Sequence, residues 1–79
     1  MDIKPGLYKH YKGGEYRVHF VALDEATEEP MVVYEALYEN DKSRFWIRSV
    51  KNFTETVTVD GKEVPRFQYL RAILVSGSN

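Results

Sequence analysis

Apolar and polar residues alternate along much of the chain, with the period of two that is typical of β-strands. The clearest case is residues 16–23, where one side of the predicted strand consists of Tyr16, Val18, Phe20 and Ala22. An earlier stretch, residues 7–11, contains two tyrosines and precedes the glycine pair 13–14, which supplies the positive φ of a tight reversal. The pattern predicts a hairpin whose second strand turns the side from Tyr16 to Ala22 toward the core.

Residues 31–38 fit two interpretations. Pro30 suits the first position of a helix, and Met31, Tyr34 and Tyr38 recur at a helical spacing. The Val-Val-Tyr run favours a strand instead, because branched and aromatic side chains suit a pleated sheet and so short a helix is marginal alone. We prefer the strand, and we expect the acidic residues 24–30 before it to form a solvated connection.

One short helical turn is predicted after the next strand. Residues 39–44 have the composition of a loop, and residues 45–48 that of a strand. Ser49 stands where a helix N-cap is favoured, and apolar residues follow at spacings of three and four, namely Val50, Phe53 and Val57. These features predict at most one helical or 3₁₀ turn.

A hairpin over residues 57–64 is the strongest local prediction, because a valine-threonine alternation enters Asp60-Gly61, the dipeptide of a type I′ turn. Pro65 cannot donate to a ladder, so the returning strand is an edge or is interrupted before residues 66–70. In total the chain predicts a mainly β domain, a small barrel or sandwich of five to six short antiparallel strands. We assign residues 1–75 to this domain and residues 76–79 to a flexible C-terminal tail.

Length and composition narrow the function classes. The 79 residues allow one compact core, and the absence of cysteine removes any disulfide or thiolate zinc site that would support it. The net charge of −1 argues against a nucleic-acid or anionic-membrane partner, since both attract a cationic excess. No apolar run resembles a signal peptide or a membrane span, so we expect a cytoplasmic location.

Several sequence anchors follow one another along the chain. They are residues 3–13, residues 27–38, Trp46-Ile47-Arg48, Asp60-Gly61 and Val64-Pro65-Arg66-Phe67. Together they closely resemble the small bacterial family known as domain of unknown function 1653, over nearly the whole chain up to about Leu70. The resemblance implies a compact SH3-like β-barrel and supports the strand over residues 31–38, but it brings no assigned activity.

Two positions depart from the pattern of that family. The usual serine of the acidic loop is replaced around Glu25-Ala26, and the proline after the Trp-x-Arg motif is Ser49. A family function that needed either residue would not carry over to this chain.

The two histidines and the acidic loop raise the question of a metal site. His10 and His19 could join a carboxylate of Asp24, Glu28 or Glu29 as two histidines and one acid. Nothing in the spacing enforces this, and both histidines fall opposite the proposed inward side. We therefore interpret them as solvated or hydrogen-bonded imidazoles, and we expect neither a metal nor a cofactor.

No assembled catalytic motif is present. The serines and threonines have no Gly-x-Ser-x-Gly elbow around them, and the glycine pair lacks the length and the following helix of a phosphate-binding loop. An enzyme built on Glu28, Glu29, His10 and Arg48 is retained only as a minority hypothesis. The acidic run itself is interpreted as a solvated surface.

Aromatic residues interleaved with arginine form the candidate ligand-binding set: Tyr34, Trp46, Arg48, Arg66, Tyr8 and His10. Aromatic side chains make flat, low-entropy platforms, and arginine adds bidentate contact with a carboxylate or phosphate. Tyr34 and Trp46 are expected to be exposed at a groove.

The alternative for these side chains is a structural role. A core this small needs large side chains, which we expect to include Tyr16, Phe20, Phe45 and Phe53. Arg48 and Arg66 would then pair with Glu35 or Glu55, an ordinary cross-strand arrangement.

The leading hypothesis is a non-enzymatic binding module for a peptide, a protein or a small molecule. The partner could also be a second copy of the chain, because exposed edge strands favour dimerisation. Single-stranded oligonucleotide binding is the alternative, since aromatic barrel faces can stack bases, although eleven basic against twelve acidic residues disfavour it.

Overall fold

A computed structural model of the chain describes residues 3–73. Within this range seven strands and one short helix follow in the order β1 (Gly6–His10), β2 (Glu15–Leu23), β3 (Pro30–Ala36), β4 (Phe45–Ser49), α1 (Val50–Phe53), β5 (Thr56–Val59), β6 (Lys62–Pro65) and β7 (Phe67–Arg71). The mainly β class with one helical turn is confirmed. Seven strands replace the predicted five to six because the chain changes sheets at Pro65, where β6 ends in one sheet and β7 follows in the other.

The strands form two antiparallel sheets. The larger has the order β4-β3-β2-β1-β7, and β5 pairs with β6 in a separate ribbon. Strands β1 to β4 are successive neighbours, whereas β7 returns from the end of the described chain to lie beside β1. Since β4 and β7 are not paired within residues 3–73, this sheet is open at both edges, and the SH3-like barrel stays a prediction.

The strand interpretation of residues 31–38 is confirmed, with an end at Ala36. Strand β3 pairs with β2 on one side and β4 on the other, so both of its edges are hydrogen-bonded. Val32 is fully buried, as its alternation in a central strand requires. The acidic connection before β3 is confirmed as well, with residues 25–29 exposed.

A β-bulge at His19 reverses the predicted facing of the second half of β2. Val18 pairs with Tyr34 but Phe20 pairs with Val33, so His19 is the extra residue. The bulge places His19 and Phe20 on the same side, and Phe20 is 58% exposed while Val21 packs against the core. The expectation that Phe20 and Ala22 point inward was therefore wrong.

The predicted helix start and the predicted turn are both confirmed. Ser49 is the N-cap of α1, and its Oγ accepts a hydrogen bond of 3.0 Å from the backbone N–H of Asn52. In the β5–β6 hairpin, Asp60 and Gly61 have φ of 50° and 78°. These two positive angles are those of a type I′ turn.

The core lies on one side of the larger sheet, which we call the inner face. Its buried cluster holds Tyr8, Val18, Val32, Tyr34, Val50, Phe53 and Phe67. The rings of Phe53 and Phe67 stack with centroids 4.1 Å apart, which seats α1 on the sheet. The structural role expected for Phe53 is confirmed, but Phe45 is 51% exposed because it lies on the opposite, outer face of β4.

The C-terminal end of the chain is only partly described. The predicted tail, residues 76–79, lies outside the described residues, as do residues 74 and 75. In the part of the chain that is described, no helix is long and apolar enough to cross a membrane.

Candidate functional site

Five of the six candidate residues lie on the inner face of the larger sheet. Strand β1 contributes Tyr8 and His10, β3 contributes Tyr34, and β4 contributes Trp46 and Arg48. Their spacing of two along β1 and along β4 keeps each pair on one face, and Tyr34 is the cross-strand partner of Trp46. Arg66, the sixth candidate, lies between β6 and β7. The sheet thus gathers residues that are far apart in sequence.

Tyr34 and Tyr8 belong to the core beneath the site. Their exposed fractions are 5% and 7%, so the expectation that Tyr34 is exposed at a groove was wrong. Tyr34 is buried because central β3 carries it between Phe53 and Phe67, with ring centroids 5.6 Å from both. Trp46 is half-buried and packs against the same cluster.

Two arginines are joined by a chain of hydrogen bonds that we call the arginine network: Tyr34, Arg48, Asn52, Glu55 and Arg66. Nε of Arg48 donates to Oη of Tyr34 at 3.3 Å, and its Nη1 donates to Oδ1 of Asn52. Nδ2 of Asn52 donates to Oε1 of Glu55 at 3.3 Å, and Nη2 of Arg66 donates to the same oxygen at 3.2 Å. Of the two ion pairs considered for Arg66, the structure contains the one with Glu55.

Arg48 has neutral partners because the available carboxylate lies on the other face. Glu35 points to the outer face, where Nε of Arg44 donates to it at 2.6 Å and Nε2 of His19 lies 2.8 Å away. The hydrogen bond from Arg44, followed by that from His19, lowers the pKa of Glu35 below its ordinary value of 4.5. The guanidinium of Arg48 instead lies 5.3 Å from the centroid of the Phe67 ring.

His10 lies on the inner face, not opposite to it as the sequence interpretation had it. Its ring is 4.8 Å from that of Phe67 and 4.7 Å from that of Tyr11, between centroids. The register of β1 places it there, two residues beyond Tyr8. Burial lowers the pKa of His10, and the positive charges of Arg48, Arg66 and Lys12 lower it further.

The two histidines are on opposite faces of the sheet, His10 on the inner and His19 on the outer. Among the described residues no group of three or more histidine and acidic side chains could hold a metal ion. Glu28 and Glu29 lie in the exposed β2–β3 connection, and within residues 3–73 no hydrogen bond or ion pair joins them to His10 or Arg48. In that range the structure brings His10 and Arg48 to the same ring, that of Phe67, but leaves Glu28 and Glu29 out of contact with both.

An aromatic rim of half-buried Tyr16 and exposed Tyr38 borders the arginine network. The Oη atoms of Tyr16 and Tyr38 are 2.6 Å apart, and the ring of Tyr16 packs edge-on against Tyr34 and Phe67. Burial raises the pKa of Tyr16, and the hydrogen bond with Tyr38 adds to the rise. Tyr16 was assigned to the core by its pattern, yet it also lines the candidate site.

Asn52 is the network member that the sequence interpretation missed. It bridges Arg48 to Glu55, and it follows Arg48 by four residues. Arg48 belongs to β4 and precedes the N-cap Ser49, so the helical spacing of four does not apply to this pair. The contact depends on how β4 leads into α1, and no local pattern in the sequence indicates it.

The comparisons with known proteins bear on the whole of this fold. The sequence profile of the family described as "Protein of unknown function (DUF1653)" matches residues 6–69. The chain belongs to the DUF1653 family. A crystal structure of a DUF1653 protein from Bordetella bronchiseptica is 33% identical, with 95% of this chain and 96% of that chain covered and a TM-score of 0.86. No curated protein matches the chain.

Membership of DUF1653 confirms the resemblance found in the sequence anchors. The matched range, residues 6–69, includes β1 to β4 of the larger sheet and the first three residues of β7. The family description assigns no activity, so the case for a function rests on the geometry of the inner face.

Proposed function

We propose that the chain is a small non-enzymatic binding module whose inner face holds a peptide, a protein or a small molecule. The observation that carries this proposal is the convergence of His10 and Arg48 on the ring of Phe67, the residue that follows Arg66. Aromatic side chains with part of their surface exposed offer contact area at low entropic cost, and arginine supplies directional donors.

The side chains divide into a support and a contact layer. Tyr8, Tyr34 and Phe67 are buried and fix the positions of their neighbours. The residues that retain accessible surface next to them are His10, Tyr16, Tyr38, Trp46 and Arg48. Because the buried rings hold it, the contact layer is largely preorganised, and preorganisation lowers the entropic cost of binding.

The wider setting is part of the same proposal. An SH3-like arrangement would suit a module of this kind, and the Bordetella source of the solved DUF1653 protein supports a bacterial origin. We place the module in the cytoplasm, which fractionation of cells that express the chain would test.

The test is an amide NMR titration of the full chain with peptide and metabolite libraries. We expect at least one ligand to shift signals of His10, Tyr16 and Trp46 in a saturable manner. Replacing Tyr38 by alanine should weaken that ligand, whereas Ile47→Ala on the outer face, where Ile47 is 61% exposed, should not. Libraries that leave the inner face unperturbed would count against the proposal.

Two other partners are tested by separate measurements. If the chain binds single-stranded nucleic acid, a short labelled oligonucleotide would show a rise in fluorescence anisotropy at low salt. The net charge of −1 argues against this outcome. A second copy of the chain would cover the exposed apolar residues of the outer face, Phe20, Phe45 and Ile47. In that case sedimentation velocity would report a dimer that Ile47→Glu dissociates.

A further inference from the structure

The arginine network carries more positive than negative charge. It contains the two guanidinium groups of Arg48 and Arg66 and the single carboxylate of Glu55. Asn52 and Tyr34 are neutral links. Because Glu55 binds Arg66 directly but reaches Arg48 only through Asn52, the charge of Arg48 has no carboxylate in contact within residues 3–73. A charge that is partly removed from water is ordinarily paired.

Several donors of these side chains are also unused. A guanidinium has five N–H donors, whereas Arg66 makes one side-chain hydrogen bond and Arg48 makes two among the described residues. The side chain of Arg66 is only 22% exposed, and its Nε is buried with no acceptor in that part of the chain. The indole N–H of Trp46, two residues before Arg48, is likewise buried and has no acceptor among residues 3–73.

Five of the twelve acidic residues lie away from the network, namely Glu35 and the four of the β2–β3 connection. Glu35 is on the outer face and is already bound by Arg44 and His19. The acidic residues 24–29 lie in the exposed connection between β2 and β3. The arginine network is thus locally cationic, with two guanidinium groups to one carboxylate, although the chain as a whole has a net charge of −1.

We infer that the arginine network is an oxyanion site, in which Arg48 and Arg66 hold a carboxylate or phosphate group of the ligand. The inference rests on the proposed function and specifies the chemistry of its ligand. An oxyanion supplies the acceptors that these guanidinium groups lack and offsets the excess charge. The buried Phe67 ring beneath Arg48 holds that guanidinium in place for a directional contact.

The probes are inorganic phosphate and acetate, each added to ¹⁵N-labelled full-length protein at constant ionic strength, with chloride as the reference. We expect one of the two oxyanions to shift the side-chain Nε–H signals of Arg48 and Arg66 and the single indole signal of Trp46, with saturation. A preference for phosphate points to a phosphorylated ligand, and a preference for acetate points to a carboxylate. Shifts that rise linearly with the oxyanion concentration and equal those caused by chloride would overturn the inference.

Matched variants separate the site from the general charge of the surface. Arg48→Gln should weaken oxyanion binding at least tenfold, as loss of a charge-assisted contact requires. Arg71→Gln removes the same charge from an exposed position of β7 and should leave the affinity within twofold. If Arg48→Gln does not fold, Arg66→Gln provides the same comparison. Equal losses in the network and control variants would overturn the site.

The outcome for this inference is distinguishable from that for the proposed function. A library ligand that carries no anionic group, and that binds the inner face equally well in Arg48→Gln, would overturn the oxyanion site and leave the binding module standing. Saturable binding of phosphate or acetate by Arg48, with no library ligand on the inner face, would support the oxyanion site and count against the module.

Discussion

At the scale of single residues, the largest surprise in the structure is His19, because one extra residue decides what its neighbours do. Because of the bulge, Phe20 is exposed to solvent and Val21 packs against the core. The bulge also places Nε2 of His19 within hydrogen-bond distance of Glu35. A regular strand would have placed His19 and Phe20 on opposite faces. One residue thus sets both a packing pattern and a polar contact.

Glu35 is expected to stabilise the fold in a pH-dependent way. Replacing Glu35 by glutamine removes a carboxylate that two side chains bind, so at pH 7 we expect a loss of about 2 kcal/mol in the free energy of unfolding. The folded-state pKa lies below the ordinary 4.5, so the contribution is complete above that value and is lost as pH falls through the folded-state pKa.

The measurement is urea unfolding of the wild type and of Glu35→Gln at several pH values from 7 to below 4. The difference between the two proteins should be constant near neutrality and shrink in acid. Glu29→Gln is the control, because that carboxylate is exposed in the β2–β3 connection. A difference that grew toward low pH would contradict the role given to Glu35.

Those residue-scale facts mark the limit of what the sequence predicts. Ser49, Asp60 and Gly61 act locally, so their roles as cap and turn could be predicted and are confirmed. The bulge could not, because Phe20 and Val21 are both apolar and either could have faced the core. The facing of His10 and the burial of Tyr34 depend on strands that are distant in sequence, and no local pattern contains that information.

At the scale of elements, the sheet is held together by close approaches of backbone as well as by side chains. Gly6 begins β1 with φ of 142°, and a Cβ there would lie 2.6 Å from the backbone O of Arg71 at the end of β7. Gly61 also has positive φ, but a Cβ there meets nothing within 4 Å. A side chain at Gly61 would therefore cause backbone strain alone, whereas a side chain at Gly6 would cause backbone strain and a steric clash.

Alanine at these two positions should have different effects. Gly61→Ala is expected to cost about 1 kcal/mol, because the only penalty is a left-handed backbone with a side chain. Gly6→Ala should cost several times more, because β1 and β7 must also move apart. Thermal unfolding followed by circular dichroism would compare them, and equal losses would mean that β7 does not pack on Gly6 in solution.

At the scale of elements, too, the arginine network shows what the sequence could and could not predict. The pairing of Arg66 with Glu55 was one of its alternatives, whereas the contact of Arg48 with Asn52 joins the end of β4 to α1 and was not predicted. The gathering of both arginines near His10 needed the order of the strands, which the sequence did not reveal.

At the scale of the whole molecule, one aromatic core carries the fold. Phe53 is 2% exposed and contacts Tyr8, Tyr34 and Phe67, which come from three different strands. A four-residue helix has little stability of its own. Its docking through Phe53 therefore holds α1 on the sheet and positions Asn52 for the arginine network.

Removing the ring of Phe53 should unfold much of the population. Phe53→Ala is expected to cost about 3–5 kcal/mol, a large share of the stability of a small domain. Phe20→Ala is the matched control, because Phe20 is 58% exposed and its loss should change stability by less than about 0.5 kcal/mol. Chemical denaturation of both variants is the measurement, and a large effect at Phe20 would contradict the bulge at His19.

The pairing of β1 with β7 has a consequence for the order in which the fold is assembled. Strands β1 to β4 close by short connections, but Leu7 finds Arg71 only after nearly the whole described chain has been laid down. Closing so long a loop lowers the entropy of the chain before the contact between the two strands adds any stability. We therefore expect that, during synthesis, one hydrogen-bonding edge of β1 stays unpaired until β7 has been made. The contact between His10 and Phe67 would form only at that last step.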